Sequence, residues 1–244
     1  MIDLSVIVPC YNEENNIEDI VLKILDSFNK NTIKGEIILV NDGSSDRTSM
    51  EIERLSRQFK NVFGINHVKN LGITEAWNSG LKGSQGRYIV TIDADLQYRP
   101  EDIIELYNQM TKDDYDLVQG WRREYKDKNL LRKFLSKSLS HILNILFLTG
   151  INDIKSGFVI YKRDVFSDIL KTKKKFHTFQ HFFILCALRK GYRLKQVPIT
   201  FYPRKRGESF IKNPILFSFK VLLDIPKAIL VFGVITRKKI LSRL

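Results

Sequence analysis

The stretch RYIVTIDADLQYRP, residues 87–100, decides the fold. Its apolar run from Tyr88 to Ile92 ends at two aspartates, Asp93 and Asp95, that have one residue between them. Two carboxylates this close repel each other and lose solvation when they are even partly buried. A strand that ends in such a pair therefore indicates a site at which something positive binds.

Strand-like apolar segments alternate with amphipathic helical segments on both sides of this stretch. The predicted strands are Leu4–Pro9, Glu36–Val40, Val62–His67, Arg87–Ile92 and Asp116–Gly120. The predicted helices are Asn15–Phe28, Ile73–Leu81, one that begins at Pro100, and one after NDGSSDRT that has Ser44, Ser45 or Asp46 as its N-cap. Continuously apolar strands in this alternation predict an α/β fold, with a Rossmann-like, mainly parallel sheet covered by helices on both faces.

Polar residues follow three of these strands, as Asn12-Glu13, Asn41-Asp42 and Asp93 to Asp95. Ligands of open α/β sheets bind at the carboxyl ends of the strands, where these residues would meet. Hard cations such as Mg²⁺ or Mn²⁺ prefer carboxylate oxygens and commonly complete their shell with substrate phosphates. We therefore interpret Asp93 and Asp95 as metal ligands that help to neutralise a diphosphate leaving group, with Gln97 as a source of a further carbonyl oxygen.

The charge of the chain is divided unevenly along its 244 residues. Residues 1–120 carry 12 Lys and Arg against 20 Asp and Glu, whereas residues 121–244 carry 28 against 7. The basic half suggests an anionic partner, for which nucleic acid and an anionic membrane are the general candidates. Nucleic acid is disfavoured, because the basic residues of segment 129–137 alternate with long aliphatic side chains instead of stacking aromatics. The cysteines Cys10 and Cys186 are far apart in sequence and are expected to be free thiols in a reducing cytosol.

Two long amphipathic segments occur in the basic half. In Asn129–Thr149 the polar residues follow a helical spacing, and in Pro214–Val234 the residues Lys220, Asp224 and Lys227 fall on a single face. The length of the second segment approaches the roughly 20 apolar residues that a membrane span needs. However, those charges interrupt the apolar run, and Pro226 is expected to break the helix. We expect helices that lie in the membrane interface, the second of them flanked by Arg237-Lys238-Lys239; ordinary core helices are the alternative for both.

Five blocks in this order resemble glycosyltransferase family 2 with the GT-A fold: VIVPCYNEENNI, ILVNDGSSDRT, NLGITEAWNSG, YIVTIDADLQYRP and DIKSGF. Three more, GWR, LRKFLSK and RKRGES, resemble its polyprenyl-phosphate branch, whose best-known members are dolichol-phosphate mannosyltransferases. The resemblance runs from Ser5 to Ile211. It implies an inverting, metal-dependent enzyme that moves a sugar from a nucleotide diphosphate sugar to a polyprenyl (dolichyl or undecaprenyl) phosphate. It also implies a peripheral protein at the cytoplasmic face of the membrane.

The resemblance assigns roles to individual residues. The expected nucleotide-binding residues are Pro9, Tyr11, Glu13, Asn41 and Asp42, where Asn41 departs from the usual aspartate. The expected metal and diphosphate ligands are Asp93, Asp95 and Gln97. The expected acceptor-phosphate residues are Arg122, Arg132 and Ser136, together with Arg206 and Ser209 of a loop that closes over the phosphates; Asp93, Asp95 and Arg206 are the catalytic candidates. The expected organisation is a GT-A domain over 1–212, with a nucleotide-sugar half (1–120) and an acceptor half (121–212), followed by membrane-associated helices over 213–244.

Simpler roles remain open for several of these residues. The segment NDGSSDRT can be only a turn and a helix cap, Tyr11 can be a packing residue, and the run Arg204 to Arg206 can be a solvated basic loop. No pattern assigns a role to His67, His141, His177 or His181.

The acceptor decides the mechanism. A hydroxyl acceptor needs a positioned general base, whereas a phosphate monoester, with a second pKa of about 6, is already largely ionised near neutral pH. Family 2 enzymes with hydroxyl acceptors resemble each other in having an acidic residue as the base on the helix after the SGF block. The corresponding segment of this chain, residues 176–191, contains no carboxylate. This favours a phosphate acceptor. Asp153, just before SGF, is the one candidate base for the alternative, a soluble family 2 enzyme that acts on a sugar hydroxyl in polysaccharide or glycoprotein synthesis. The sugar, the choice between GDP and UDP donors, the lipid length and the oligomeric state stay open.

Overall fold

A computed structural model describes residues 2–126, 130–173, 176, 178–207 and 214–233. Within these ranges, the side chains of 125, 130–137, 214–218 and 220 lie outside the description. The strands are β1 (Leu4–Cys10), β2 (Gly35–Asn41), β3 (Val62–Asn66), β4 (Tyr88–Thr91), β5 (Leu117–Tyr125), β6 (Val159–Lys162) and β7 (Leu194–Phe201). The helices are α1 (Ile17–Lys30), α2 (Thr48–Gln58), α3 (Ile73–Gly83), α4 (Ile103–Lys112), α5 (Leu130–Phe147), α6 (Arg163–Leu170), α7 (Phe183–Lys190) and α8 (Pro214–Phe232).

The seven strands form one sheet in the order β3-β2-β1-β4-β6-β5-β7. The pairs β1–β2, β1–β4, β2–β3 and β5–β7 are parallel, and β6 runs antiparallel to both β4 and β5. The mainly parallel α/β sheet that the sequence predicts is thus confirmed. Because β4 and β5 both neighbour β6, the acidic pair that follows β4 lies close to strands of the basic half.

Helices cover both faces of the sheet because the strands are apolar on both sides. Along β1, Val6 and Val8 pack into the core beneath α1, α2 and α4, whereas Ile7 points into the opposite core beneath α3, α5, α6 and α7. Successive residues of a strand face opposite sides, so a strand buried on both faces must be apolar throughout. Cys10 and Cys186 are buried free thiols, as expected.

Some local predictions need correction. The helix α8 continues through Pro226, so the expected break at that residue is wrong. The charges of this segment differ in their burial, since Asp224 is fully buried whereas Lys227 is exposed. The chain after Asp95 first forms a short 3₁₀ turn, Pro100–Asp102, and α4 begins only at Ile103.

Candidate active site

The ends of β1 and β4 are shaped by unusual backbone conformations. Asn12, shortly after β1, has a φ of 55°, and Leu96, immediately after Asp95, has a φ of 60°. Residues other than glycine rarely adopt this left-handed region of φ. Backbone strain of this kind clusters at functional sites. At Leu96 the turn lets the backbone N–H of Gln97 donate to Asp95 Oδ1 over 3.0 Å, which fixes that carboxylate at the sheet edge.

Asp93 and Asp95 lie together in a poorly solvated position. Burial and the charge of the neighbouring Asp95 together raise the pKa of Asp93 to about 7, against the opposing charges of Arg122 and Arg204. Such a pair is stable in its ionised form only beside a compensating positive charge. The donor set therefore fits a hard divalent cation.

The two carboxylates would not complete a metal site alone. Within the part of the chain that the structure describes, no three His, Cys, Asp or Glu side chains form a cluster that could hold a metal ion. Mg²⁺ commonly binds one or two carboxylates together with substrate phosphates, so this donor set fits a cation that arrives with a diphosphate. Gln97 is buried, and its Nε2 donates to the Tyr202 carbonyl over 3.1 Å, so its side chain also fastens the loop that follows β7.

Arg204 is the residue that the sequence analysis missed. Its Nη1 donates to Glu13 Oε1 and its Nη2 donates to Asp95 Oδ2, both over 2.9 Å. The predicted counterpart, Arg206, is largely exposed; its Nη1 donates to the Asn15 carbonyl over 3.0 Å, and the residue does not line the cavity. The role of Arg206 stays a prediction, but Arg204 is the arginine of this loop that reaches the acids.

A cavity of about 910 Å³ connects these groups. One part is lined by Pro9, Tyr11, Glu13 and Asp42, all predicted nucleotide-binding residues, and by the acid pair. The same cavity is lined by cations and aromatic rings, among them Arg122, Lys155, Lys173, Phe176, Phe179 and Phe201. We call the first group of residues the acidic end of the cavity and the second group its cationic end.

Asn41, the last residue of β2, and Asp42, the residue after it, hold loops in place. Asp42 accepts hydrogen bonds from the backbone N–H groups of Leu71 and Gly72, each over 2.8 Å, and its Oδ1 lies 2.7 Å from His67 Nδ1. Asn41 is buried: its Nδ2 donates to Asn66 Oδ1, and its Oδ1 accepts from the Ser44 N–H. His67 therefore supports the wall that Asp42 forms.

At the cationic end, Arg122 of β5 meets Asp153. Arg122 Nε donates to Asp153 Oδ2 over 2.6 Å, and Nη2 donates to Oδ1 over 2.9 Å. Burial raises the pKa of the Asp153 carboxyl, but the charge and hydrogen bonds of Arg122 lower it more, so the net shift is downward. Asp153 is therefore an ionised carboxylate that orients Arg122, and a weak base.

Other groups complete this end. Lys173 forms an ion pair with Glu75 across 2.6 Å, and both side chains line the cavity. Burial lowers the pKa of His181 to about 3, so its imidazole is neutral. Thr178, also in the wall, donates through its backbone N–H and its hydroxyl to Asp224 of α8, over 2.7 and 2.8 Å.

Three predicted acceptor-phosphate residues cannot be placed. Ser209 and the side chains of Arg132 and Ser136 lie outside the described residues. Their roles stay predictions, as do those of the other assigned residues.

Comparison with solved structures shows the fold type. A search of solved structures finds the same fold in glucosyl-3-phosphoglycerate synthase from Mycobacterium tuberculosis, solved with Mn²⁺, UDP and phosphoglyceric acid (TM-score 0.68, 17% identity, 96% of this chain and 80% of that chain). Mannosyl-3-phosphoglycerate synthase from Rubrobacter xylanophilus is similarly related (TM-score 0.67, 14% identity, 95% and 75% coverage). The fold is thus of the GT-A type seen in glycosyltransferases.

The sequence comparison gives the family. The profile of glycosyl transferase family 2 matches residues 5–170, and the chain belongs to that family of glycosyltransferases. Among curated proteins it is 28% identical to the dodecaprenyl-phosphate galacturonate synthase of Rhizobium johnstonii, over 92% of this chain and 65% of that protein. It is 33% identical to the dolichol-phosphate mannosyltransferase of Pyrococcus furiosus, over 88% of this chain and 61% of that protein. The chain spans somewhat less than two thirds of the length of these relatives, which support the polyprenyl-phosphate branch.

Proposed function

We propose that the protein transfers a sugar from a nucleotide diphosphate sugar to a polyprenyl phosphate. The observation that carries this proposal is the Arg122–Asp153 ion pair. It engages the carboxylate that a hydroxyl acceptor would need as a base, and it presents a guanidinium at the cationic end of the cavity. An already ionised phosphate needs cations to guide it and no base to activate it.

The donor would bind at the acidic end. Pro9, Tyr11 and Asp42 line the space for the nucleoside, and Asp93 and Asp95 face the diphosphate. Mg²⁺ or Mn²⁺, when bound to these carboxylates, would offset the negative charge that develops on the leaving diphosphate. The two named relatives act, by their names, on dodecaprenyl and dolichol phosphates, which favours a polyprenyl acceptor here.

The acceptor phosphate would enter at the cationic end. Arg122 is held by Asp153 in a fixed orientation, and the charge of its guanidinium attracts phosphate oxygens. Attack by a phosphate oxygen on the sugar C1, from the side opposite the diphosphate, would invert the anomeric carbon in one displacement. The neutral imidazole of His181 adds no charge to this end.

A lipid acceptor would explain the outer surface of α5 and α8. Large apolar side chains are exposed there, and we call this surface the α5–α8 apolar face; its members are Ile142, Ile145, Leu146, Leu148, Phe219, Leu222, Leu223, Ile229 and Leu230. Patches of this kind mark interaction or membrane sites, and Leu223 also lines the cavity. Among the described helices, none is both long and apolar enough to cross a bilayer. We include in the proposal a peripheral position on the cytoplasmic face of a membrane, which the exposed apolar side chains favour.

The test is a transfer assay with Mn²⁺ or Mg²⁺, a panel of nucleotide sugars, and a short polyprenyl phosphate. We expect glycolipid and free nucleoside diphosphate to appear together, only when metal is present. Asp95→Asn should lower the rate at least about 100-fold, since removing one oriented charge-stabilising group commonly costs that much. The exposed Asp113→Asn is the matched control. Transfer to a sugar hydroxyl but not to polyprenyl phosphate would refute the proposed acceptor, and a wild-type rate for Asp95→Asn would refute the metal assignment.

A further inference from the structure

The guanidinium of Arg204 lies between two buried carboxylates. It bridges Glu13, after β1, and Asp95, after β4, with both hydrogen bonds at 2.9 Å. Glu13 is further held by Asn16 Nδ2, which donates to its Oε2 over 2.6 Å. Burial raises the pKa of Glu13, so the ionised carboxylate depends on partners such as this arginine. The bridge spans two separate strand ends and ties them to the loop after β7.

The Arg204 guanidinium does not use all of its hydrogen-bond donors in this arrangement. Its Nε is buried and has no hydrogen-bond partner among the described residues. A buried donor that lacks an acceptor costs free energy comparable to a lost hydrogen bond. The guanidinium has five N–H donors in a rigid fork that suits the oxygens of a carboxylate or a phosphate. The unused donor therefore indicates that a further anion binds beside this side chain.

Backbone groups on either side of Arg204 are hydrogen-bonded within residues 202–207, the part of this loop that the structure describes. At its start, the Tyr202 N–H donates to the Gln97 carbonyl over 2.9 Å, and Gln97 Nε2 donates back to the Tyr202 carbonyl. On the other side of Arg204, the Arg206 carbonyl accepts from Asn16 Nδ2 over 3.2 Å, and Gly207 has a φ of 76°. Arg204 lies between these attachments, so its long side chain can change partners while the loop stays in place.

We propose that Arg204 stands in for the divalent cation at the acid cluster of the ligand-free enzyme and passes to the donor diphosphate when the cation binds. This inference rests on the proposed function, because it presupposes a metal at Asp93 and Asp95. The guanidinium and the cation compete for Asp95, since two positive charges brought this close to each other repel. Arg204 thereby lowers the affinity of the empty enzyme for metal and is released at the moment when a diphosphate needs a positive partner.

The first measurement is the affinity for Mn²⁺ without nucleotide, read from the electron paramagnetic resonance signal of free Mn²⁺. We expect Arg204→Gln to bind Mn²⁺ about tenfold more tightly than the wild type, a difference of about 1.4 kcal/mol. Lys205→Gln is the matched control: it removes the same charge from the same loop, but this exposed side chain has no described contact with the acids. Its affinity should stay within about twofold of the wild type, because an exposed charge is screened.

The second measurement uses the unaltered protein and is independent of how any variant folds. A crystal structure with Mn²⁺ and UDP should show an Arg204 nitrogen within hydrogen-bond distance of a diphosphate oxygen and Asp95 bound to the ion. Equal Mn²⁺ affinities for the wild type and Arg204→Gln would overturn the proposal, and so would an Arg204 that still bridges Glu13 and Asp95 beside bound metal. Failure of every protein to bind Mn²⁺, with or without UDP, would instead remove the proposed metal site itself.

Discussion

Arg122 and Asp153 come from two separate motifs, GWR and DIKSGF, and meet in a two-point ion pair of which little is exposed. Sequence alone offers Asp153 as a base, because a carboxylate near the acceptor segment has that chemistry. Only the fold shows that a guanidinium already binds it. The fold also distinguishes the basic residues of RKRGES, which look alike in sequence. The path of the loop brings Arg204 to Glu13 and Asp95, whereas Arg206 does not line the cavity.

The ion pair gives a testable dependence of stability on pH. The folded-state pKa of Asp153 is lowered, so its contribution to stability is fully present above the unfolded-state pKa of about 3.9 and is lost as the pH falls below it. Asp153→Asn should lower the free energy of unfolding at pH 7 by about 3 kcal/mol, because Arg122 is left without its counter-charge. Urea unfolding at pH 7, and in steps from pH 5 to pH 3, measures both effects.

The double variant Asp153→Asn with Arg122→Gln is the control for this prediction. Removing both charges should recover part of the lost stability, since no uncompensated guanidinium remains. If the single variant is as stable as the wild type at pH 7, or loses stability in acid just as steeply, the pair does not have the strength assigned to it.

At the scale of elements, strands β1 to β4, the start of β5 and the helices α1 and α3 follow from apolar periodicity and could be predicted within a few residues. Strands β6 and β7 were not predicted from the sequence. Which side chains of α5 and α8 are buried and which are exposed could not be predicted in this way. In α8, Asp224 is fully buried because Thr178 supplies two hydrogen bonds, whereas apolar neighbours such as Leu223 and Leu230 are exposed. A sequence pattern assumes that charged residues face solvent, so a buried carboxylate with a specific partner reverses the prediction.

The packing of α3 on β1 depends on one glycine. A Cβ placed on Gly80 would overlap Ile7 Cγ2, and Ile7 is fully buried. We expect Gly80→Ala to destabilise the protein by about 1–3 kcal/mol, the usual cost of overpacking a core, despite the better helix propensity of alanine. Chemical denaturation measures this, with Gly150→Ala as the control because a Cβ there has no neighbour within 4 Å. A more stable Gly80→Ala protein would contradict the close approach of helix and strand.

At the scale of the whole molecule, the uneven charge and the α5–α8 apolar face are features of the same half of the chain. Residues 121–244 carry 28 Lys and Arg against 7 Asp and Glu, and this half supplies both α5 and α8. Basic side chains are attracted to anionic lipid by about 1 kcal/mol each when they lie near the surface, and exposed apolar side chains gain free energy by leaving water. The two contributions act together only on a surface that is both apolar and anionic.

Binding to vesicles tests that combination. The wild type should cosediment with phosphatidylglycerol vesicles, more weakly with phosphatidylcholine vesicles, and more weakly again at high salt, because salt screens the charge contribution and leaves the apolar one. Leu230, the most exposed residue of the α5–α8 apolar face, is the point to alter. Leu230→Glu should weaken binding at least about tenfold, since it removes buried apolar area and adds a charge that the lipid repels. Met50→Glu, an equivalent change at an exposed position of α2 in the acidic half, should bind as the wild type does. Equal losses in both variants would mean that net charge alone governs binding, and the apolar face would then have no part in it.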